Sequence, residues 1–503
     1  MAKNELKVGT ALSMLTIIMS SLIQIVYTPL YMRYLGPADY GINSLVQSIM
    51  GYISILNLGL GNTMLRYTVR YRASGKLEEE KSLNGMFLSI FSILMVLAIG
   101  IGSYIFFNIE TFFGERFTAI ELEKTKMVFI ILSLNVVLSF PLTIFSTNIS
   151  SKEKFIYQRG VKLLAMVLNP IIGALLMING FGLISVTLST LFFAIISYLF
   201  DIVYAIKLGM RIKFSKFDYS ILKEIFTYSF FIFLNVLIDQ IYWGTDRVII
   251  GKYIGVAGVA IYSVGAIFNT LYTGFAAAIA GVLFPRINRL IVEGKHNEID
   301  GLFLKVGRLQ YILLGLISSG FVLFGKDFIT LWVGKEYIEA YRIALWIMIP
   351  LTVPLIQSIG VSIMQAKNMH QFRSVVYLVI ALLNLGMSIF LVKKYGVIGC
   401  AIATGISFIL GQIIIMNIYY KVVVELDIVN FWKNILKMSV PIFIAMIFGT
   451  LLNRYLKEVN YLKFIVKIVI YTILYCLLLW KMGLNEYEKS QIPISKILKK
   501  IKK

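Results

Sequence analysis

Fourteen apolar runs, separated by short polar or glycine- and proline-containing segments, restrict most strongly how this chain folds. About 20 apolar residues are enough to cross the hydrocarbon core of a bilayer as an α-helix. The runs lie near 8–32, 41–65, 83–107, 127–149, 163–178, 183–206, 224–243, 258–283, 309–325, 343–366, 374–392, 398–420, 438–452 and 464–480. The alternating ten-residue segments of a transmembrane β-barrel are absent. The sequence therefore predicts an all-α integral membrane protein with about 14 transmembrane helices.

The distribution of lysine and arginine orients these helices. With the N-terminus in the cytoplasm, 33 of the 48 basic residues fall in cytoplasmic segments, as the positive-inside rule expects. The first apolar run is longer than a signal-peptide core and lacks a small-residue cleavage pattern, so we expect a retained first helix. Both termini are then cytoplasmic.

The same distribution explains the formal charge of +22 without nucleic acid as a partner. Basic loops and the tail "KSQIPISKILKKIKK" are expected to lie against anionic membrane lipids. Contact of the tail with a protein partner is the alternative.

A phrase near the start of the chain returns much later. "RYLGPADYGINSL" (33–45) and "KYIGVAGVAIYSV" (252–264) share five of thirteen residues, and other segments correspond at similar offsets of about 215 residues. Such an offset indicates duplication of a six-helix unit, and six helices keep both copies in the same orientation. Gly36 and Gly255 are expected to permit the tight turn at each external corner.

The duplication predicts two six-helix lobes related as parallel repeats. We expect an N-lobe at 1–215, a C-lobe at 216–430, two additional helices at 431–482 and a basic cytoplasmic tail at 483–503. Transporters built from such repeats bind substrate between the lobes and alternate its access to the two sides.

Several motifs resemble one family of transporters. "PLYMRYLGPADYG", "LNLGLGNTMLRY" and "TDRVIIGKYIGVAGVAIYS" are similar to the polysaccharide and oligosaccharide flippases of the multidrug/oligosaccharidyl-lipid/polysaccharide exporter superfamily. The resemblance covers nearly the whole chain. It implies a flippase of a bacterial cytoplasmic membrane that moves a polyprenyl-diphosphate oligosaccharide to the outer leaflet, where capsule, O-antigen or a similar polymer is assembled.

A lipid-linked diphosphate needs positive counter-charges while it crosses a region of low dielectric, and the arginine fork suits phosphate oxygens. Arg66 and Arg286 are repeat-related, and each is predicted at the inner end of its lobe's second helix. Arg33 lies at the outer end of helix 1, and Arg247 is expected to pair with Asp246 in the cavity. All four are candidate substrate ligands. Arg66 and Arg286 equally fit simple markers of the headgroup boundary, and Arg33 fits an interfacial anchor.

A coupling ion is the second candidate function of the polar residues. Asp239 and Asp246 are charged residues predicted at membrane depth and are two helical turns apart. The resemblance to lipid II flippases implies a sodium site, which the pattern of Asp246, Asn384, Ser388 and Thr404 resembles, with Ser388 where a carboxylate is expected. Na⁺, H⁺ and hydrogen bonds that only join helices therefore stay open.

Other function classes fit the sequence less well. The two cysteines are single residues in apolar runs, and two histidines in polar loops cannot assemble a metal site. No glycine-rich phosphate loop, metal cluster or paired acidic motif indicates an enzyme, and no cofactor is expected. A cation-coupled multidrug antiporter is the main alternative. Its usual twelve helices and acidic cavity differ from the fourteen helices and basic balance found here.

Overall fold

The structure is a computed structural model that describes residues 2–214, 219–293, 296–367, 369–456 and 460–491. Within these ranges every regular element is helical. The α-helices are α1 Ala2–Ser54, α2 Leu60–Ala73, α3 Leu77–Phe107, α4 Ile109–Phe113, α5 Ala119–Ser151, α6 Phe155–Ile178, α7 Leu183–Lys207, α8 Tyr219–Tyr253, α9 Val256–Val292, α10 His296–Trp332, α11 Glu339–Ile356, α12 Ser358–Ala366, α13 His370–Tyr395, α14 Val397–Phe408, α15 Met416–Val422, α16 Ile428–Tyr455, α17 Tyr461–Leu478 and α18 Glu486–Gln491. Short 3₁₀ segments at Ile55–Asn57 and Lys335–Tyr337 and π segments at Ile409–Ile415 and Leu479–Gly483 join some of them.

The helices confirm an all-α membrane protein with about 14 spans. Twelve helical segments of the described chain are long and apolar enough to cross a membrane. One of them, Ile18–Ala73, has 56 residues and is too long for a single pass, so it contains two. A further helix, α8, has 35 residues but includes charged side chains such as Asp239, Asp246 and Arg247, which lower its hydropathy.

The helices extend further than the apolar runs suggest. The run predicted near 309–325 is part of α10, which continues for at least one turn beyond both ends of that range. The added turns carry Arg308 and Asp327, which bind Glu488 and Lys467 within the second of the two compact units described below. Because an ion pair compensates part of the desolvation of both charges, the helix continues through residues that hydropathy treats as breaks.

Glycines with positive φ form the two tight corners that the sequence predicts. Gly36 interrupts α1 with φ 78° and ψ 177°, and Gly255 lies between α8 and α9 with φ 110°. Gly180 (φ 79°) before α7 and Gly396 (φ 66°) before α14 also have positive φ, although the repeat aligns Gly396 with Gly182, whose φ is −77°. Residues other than glycine rarely adopt this backbone conformation, which explains the glycine at both corners.

Repeat-related lysines make the same kind of hydrogen bond just after α5 and α12. Lys152 donates to the carbonyl of Leu208, which ends α7. Lys367 donates to the carbonyl of Val424, just beyond α15, over 3.1 Å. Both lysines satisfy backbone acceptors that helix ends leave without an intrahelical partner. At Lys152, burial and then the neighbouring Arg72 lower the pKa of the ammonium group.

The described chain forms two compact units. The first contains Met1–Ser263 with Asn384–Cys400, and the second contains Val264–Leu383 with Ala401–Lys503. The core of the second includes Phe324 and Ala445, which pack with the α17 side chains Tyr471 and Tyr475. The division into lobes at 215 and 430 stays a prediction.

The second span contains a helix break that is absent at the repeat-related position. After the 3₁₀ turn Ile55–Asn57, Leu58 (φ 53°) and Gly59 (φ 68°) are left-handed, and α2 begins at Leu60. The equivalent stretch lies within the continuous helix α9.

A buried ion pair holds the last described helix in the second unit. Arg308 and Glu488 are 4% and 3% exposed, and the guanidinium binds both carboxylate oxygens, at 2.6 and 2.7 Å. Arg308 also donates to Asn434 of α16 and to the carbonyl of Gly483. Arg308 of α10 therefore contacts both α16 and the end of the π segment Leu479–Gly483, which follows α17.

Glu488→Ala is expected to lower the melting temperature of the purified protein strongly. Loss of one partner of a buried pair typically costs about 3–5 kcal/mol, because the other charge stays buried. Glu486→Ala is the control, since Glu486 lies in the same short helix with a 94% exposed side chain. Equal melting temperatures for the two variants would contradict a stabilising role of the pair. Arg308→Met/Glu488→Leu is expected to recover most of the loss.

Candidate functional site

The first unit contains a buried polar cluster around Asp246. Asp246 is 1% exposed in α8, and its Oδ2 accepts a hydrogen bond from the Tyr262 hydroxyl of α9. Its Oδ1 accepts one from Ser388 of α13 over 3.0 Å. Hydrogen bonds to the charged form favour an ionised carboxylate, whereas burial disfavours it.

α13 supplies the rest of the cluster. Asn384 and Ser388 are four residues apart, so they lie on one face of the helix. Ser388 Oγ lies 3.5 Å from Asn384 Oδ1, and both residues are almost fully buried. The structure therefore brings together three of the predicted coupling-ion residues: Asp246, Asn384 and Ser388.

Two other predicted residues differ in their surroundings. Asp239 is exposed although it lies only two turns from Asp246 on α8. Thr404 is 1% exposed and belongs to the second unit. Their part in ion coupling stays a prediction.

Tyr262 is a cluster member that the sequence analysis missed. It lies within the repeated phrase "KYIGVAGVAIYSV", at a position where the first copy has Asn43. A buried tyrosine hydroxyl normally needs a hydrogen-bond partner, so a tyrosine in this apolar corner was the available signal.

Oxygen atoms dominate the cluster. A carboxylate, an amide and two hydroxyls are hard ligands that suit Na⁺, and the carboxylate alone can carry a proton. Among the described residues, no group of three or more His, Cys, Asp or Glu side chains forms a metal site. The arrangement fits a monovalent cation or a proton better than a transition metal.

The basic candidates have varied contacts. Arg247 donates to Ser263 Oγ over 3.0 Å and to the carbonyl of Trp243 over 3.3 Å. Its pairing with Asp246 stays a prediction. Arg66 is exposed on α2, whereas the side chain of Arg286 lies outside the described part of the structure. The role of these two arginines as substrate ligands stays a prediction.

The repeat-related pair Arg33 and Lys252 lies beside aromatic rings. The charged group of Arg33 is 6.0 Å from the ring centroid of Tyr34, and that of Lys252 is 6.0 Å from Tyr253. These distances are at the outer limit of a cation–π contact. A cation thus lies next to a tyrosine at both repeat-related positions, which fits an interfacial anchor and a substrate ligand alike.

Comparisons with known proteins now place the chain in a family. The family described as polysaccharide biosynthesis protein matches residues 6–291, more than half of the chain, so the chain belongs to it. The "Putative O-antigen transporter" of Shigella flexneri is 24% identical over 400 residues, which cover 77% of this chain and 91% of that protein. The resemblance to polysaccharide flippases is confirmed.

Solved structures agree on the fold. Lipid II flippase MurJ in its inward closed conformation matches with a TM-score of 0.73 and 18% identity, over 93% of this chain and 98% of that chain. An inward-facing multidrug resistance MATE transporter of the MOP superfamily matches with a TM-score of 0.61 and 16% identity, over 78% and 92%. These proteins bear the names of transporters and flippases rather than of enzymes.

A double-mutant cycle tests the contact between Ser388 and Asp246. Ser388→Ala is expected to destabilise the wild-type protein but to have a smaller effect in an Asp246→Asn background, with a coupling energy of about 1 kcal/mol or more. The measurement is thermal unfolding in detergent. Ser407→Ala is the control, because Ser407 is fully buried and its Oγ has no partner among the described residues. Additive effects of the two substitutions would show that the bond contributes little.

Proposed function

We propose that this protein is a flippase that moves a polyprenyl-diphosphate-linked oligosaccharide from the cytoplasmic to the outer leaflet for surface polysaccharide assembly. The observation that carries this proposal is the similarity to the Shigella O-antigen transporter, which extends over 77% of the chain. The fold shared with a lipid II flippase supports the same class of substrate. The two lobes are proposed to alternate access to the two sides of the membrane.

Arginine side chains are proposed to neutralise the diphosphate during transport. Arg66 is exposed on the inner half of the second span, and Arg247 is half-buried and held by Ser263. Planar guanidinium groups bind phosphate oxygens in pairs, which lowers the free energy of a dianion in a medium of low dielectric. Arg286 and Arg33 are proposed as further ligands, on entry and on exit.

The cluster around Asp246 is proposed to couple transport to a cation. Asp246, Asn384 and Ser388 lie together, and Thr404 and Asp239 are the further proposed members. The hydroxyl of Ser388 replaces a second carboxylate, so fewer negative charges are present to hold Na⁺ against water. One buried carboxylate is also sufficient to carry a proton.

The location follows from the same argument. We propose a bacterial cytoplasmic membrane with both termini in the cytoplasm, where the basic tail contacts anionic lipids. Enzymes of polysaccharide assembly are proposed partners there.

Transport by purified protein in liposomes tests the function. The substrate is a radiolabelled polyprenyl-diphosphate oligosaccharide, and the measurement is its access to an impermeant lectin outside. Wild type is expected to move the lipid, and Arg66→Ala is expected to slow transport at least tenfold. Arg66→Lys is expected to lie between them, because it keeps the charge and loses the planar fork.

Two results would contradict the proposal. If wild type moves no glycan lipid but extrudes a cationic dye under a sodium or proton gradient, the protein is a multidrug antiporter. If Arg66→Ala transports as fast as wild type while folded, Arg66 marks only the membrane boundary.

The coupling cation is tested in the same liposomes. Asp246→Asn is expected to abolish the response of transport to an imposed gradient of the coupling cation, because the amide carries no charge and does not titrate. The rate is measured under a Na⁺ gradient alone and under a pH gradient alone. Asp201→Asn is the control, since Asp201 is a partly exposed residue on α7, which contributes nothing to the cluster. An unchanged gradient response in Asp246→Asn would exclude this cluster as the coupling site.

A further inference from the structure

The break in the second span results from the backbone conformation of its own residues. Leu58 adopts φ 53°, a conformation that residues with a side chain rarely adopt, and Gly59 follows with φ 68°. A Cβ at Gly59 would collide with the side chain of Ile232 on α8. The sequence "LNLGLG" (56–61) therefore stops one helix and starts another within a membrane span.

The new helix begins near one end of the second span, without a side-chain cap. Residues 37–57, between the corner at Gly36 and the break, extend about 30 Å along the helix axis, which is about the thickness of the hydrocarbon core. Gly59 at the N-cap makes no side-chain bond. The first N–H groups of a helix lack a carbonyl partner one full turn earlier and carry partial positive charge. In α2 the N–H of Asn62 donates to the carbonyl of Gly59 over 3.1 Å, so the N–H groups of Leu60 and Gly61 are the candidate donors.

A polar cavity of about 280 Å³ lies at this helix start. It is lined by Asn57, Gly59, Gly61, Asn62, Leu65, Ser146, Thr147 and Ser150. No carboxylate is among these residues. The volume is near the lower end for ligand pockets, so the cavity suits one polar group of a ligand rather than its chain.

The hydroxyl of Thr147 does not donate to a carbonyl of its own helix, α5. Hydroxyls in membrane helices normally donate to a carbonyl one turn earlier. Around Thr147 the other hydroxyls of α5 do so, at Ser139, Thr143, Ser146, Ser150 and Ser151. Thr147 is 7% exposed, yet its hydroxyl makes no hydrogen bond to any described residue.

The hydroxyl of Thr147 faces the first turn of α2. A Cβ built on Gly61 would lie 3.9 Å from Thr147 Oγ1, so the two residues border the same space. Asn62 lines the cavity as well, and Arg66 follows it by four residues on the same face of α2. Hydroxyl, amide and N–H donors converge here, with a cation one turn away.

We propose that this cavity binds a phosphoryl group of the lipid-linked diphosphate, with Thr147 and the first N–H groups of α2 as donors to its oxygens. The proposal rests on the proposed function for the identity of the lipid. Helix N-termini bind phosphate in many folds, and interrupted membrane helices direct such ends at anionic substrates. Because α9 is continuous at the repeat-related position, the site belongs to the first six-helix copy alone.

Binding of farnesyl diphosphate, a short soluble relative of the lipid, tests the site. The full-length protein is placed in phosphatidylcholine nanodiscs, and the dissociation constant is measured with tritiated ligand. Wild type is expected to bind farnesyl diphosphate and not farnesol. Thr147→Val is expected to weaken binding about tenfold, as for a lost hydrogen bond to a charged group. Thr147→Ser, which restores a hydroxyl, is expected to bind like wild type.

Thr143→Val is the matched control. Thr143 lies one turn earlier on α5, and its hydroxyl donates to the carbonyl of Ser139 over 2.7 Å. This variant is expected to leave the dissociation constant unchanged. Equal affinity of Thr147→Val and wild type, or no binding by wild type, overturns the proposal. Displacement of the ligand by an equal mole fraction of phosphatidylglycerol would overturn it too, because the site would then take any phospholipid.

Transport of the labelled oligosaccharide lipid separates this proposal from the proposed function. If wild type transports the lipid and Thr147→Val neither binds nor transports differently, the phosphate site is wrong and the flippase stands. If wild type transports no lipid but binds farnesyl diphosphate in a Thr147-dependent way, the flippase is wrong and the phosphate site stands.

Discussion

The need to satisfy every backbone hydrogen bond without water governs this structure. Hydrocarbon offers no partner to an N–H or carbonyl group, so a chain this apolar crosses it as helices. Turns with left-handed glycines, such as Gly36 and Gly255, lie at the ends of spans. A further break, at Leu58 and Gly59, begins α2 beside a polar cavity near the end of the second span. The proposed phosphate site uses this helix start, because the first N–H groups of a helix lack partners one full turn earlier.

The charged side chains divide according to their partners. Lys467 binds Asp327 over 2.9 Å, and Arg308 binds Glu488, so each of these charges is compensated by an opposite charge within the second unit. Asp246 accepts hydrogen bonds from the hydroxyls of Tyr262 and Ser388, which bring no charge. The buried ion pairs stabilise the second unit, because each charge compensates the desolvation of the other. The proposed coupling role of Asp246 rests on the oxygen ligands that surround it.

The two copies that the sequence predicts agree at the helix ends and differ at the break before α2. The corner glycines and the bonds of Lys152 and Lys367 are common to both copies, because helix ends need the same satisfaction in each. The break before α2 occurs in the first copy only. A substrate with one charged end needs different contacts from the two lobes, so such differences are expected in a transporter that carries a lipid diphosphate.

The amino-acid sequence alone determined the class of the protein: an all-α membrane protein with about 14 spans, tight corners at glycine and a family resemblance. Each of these depends on local hydropathy or on a recognisable pattern, and both can be read from the order of the residues. Only the tertiary structure decided the partners of the buried polar groups. Glu488 meets Arg308 across 180 residues, and Tyr262 reaches Asp246 from another helix. The hydroxyl of Thr147 lies beside the start of α2 only because α2 and α5 pack together. Such contacts depend on helix rotation and packing, because hydrophobic periodicity specifies which face is buried and not which atom it meets.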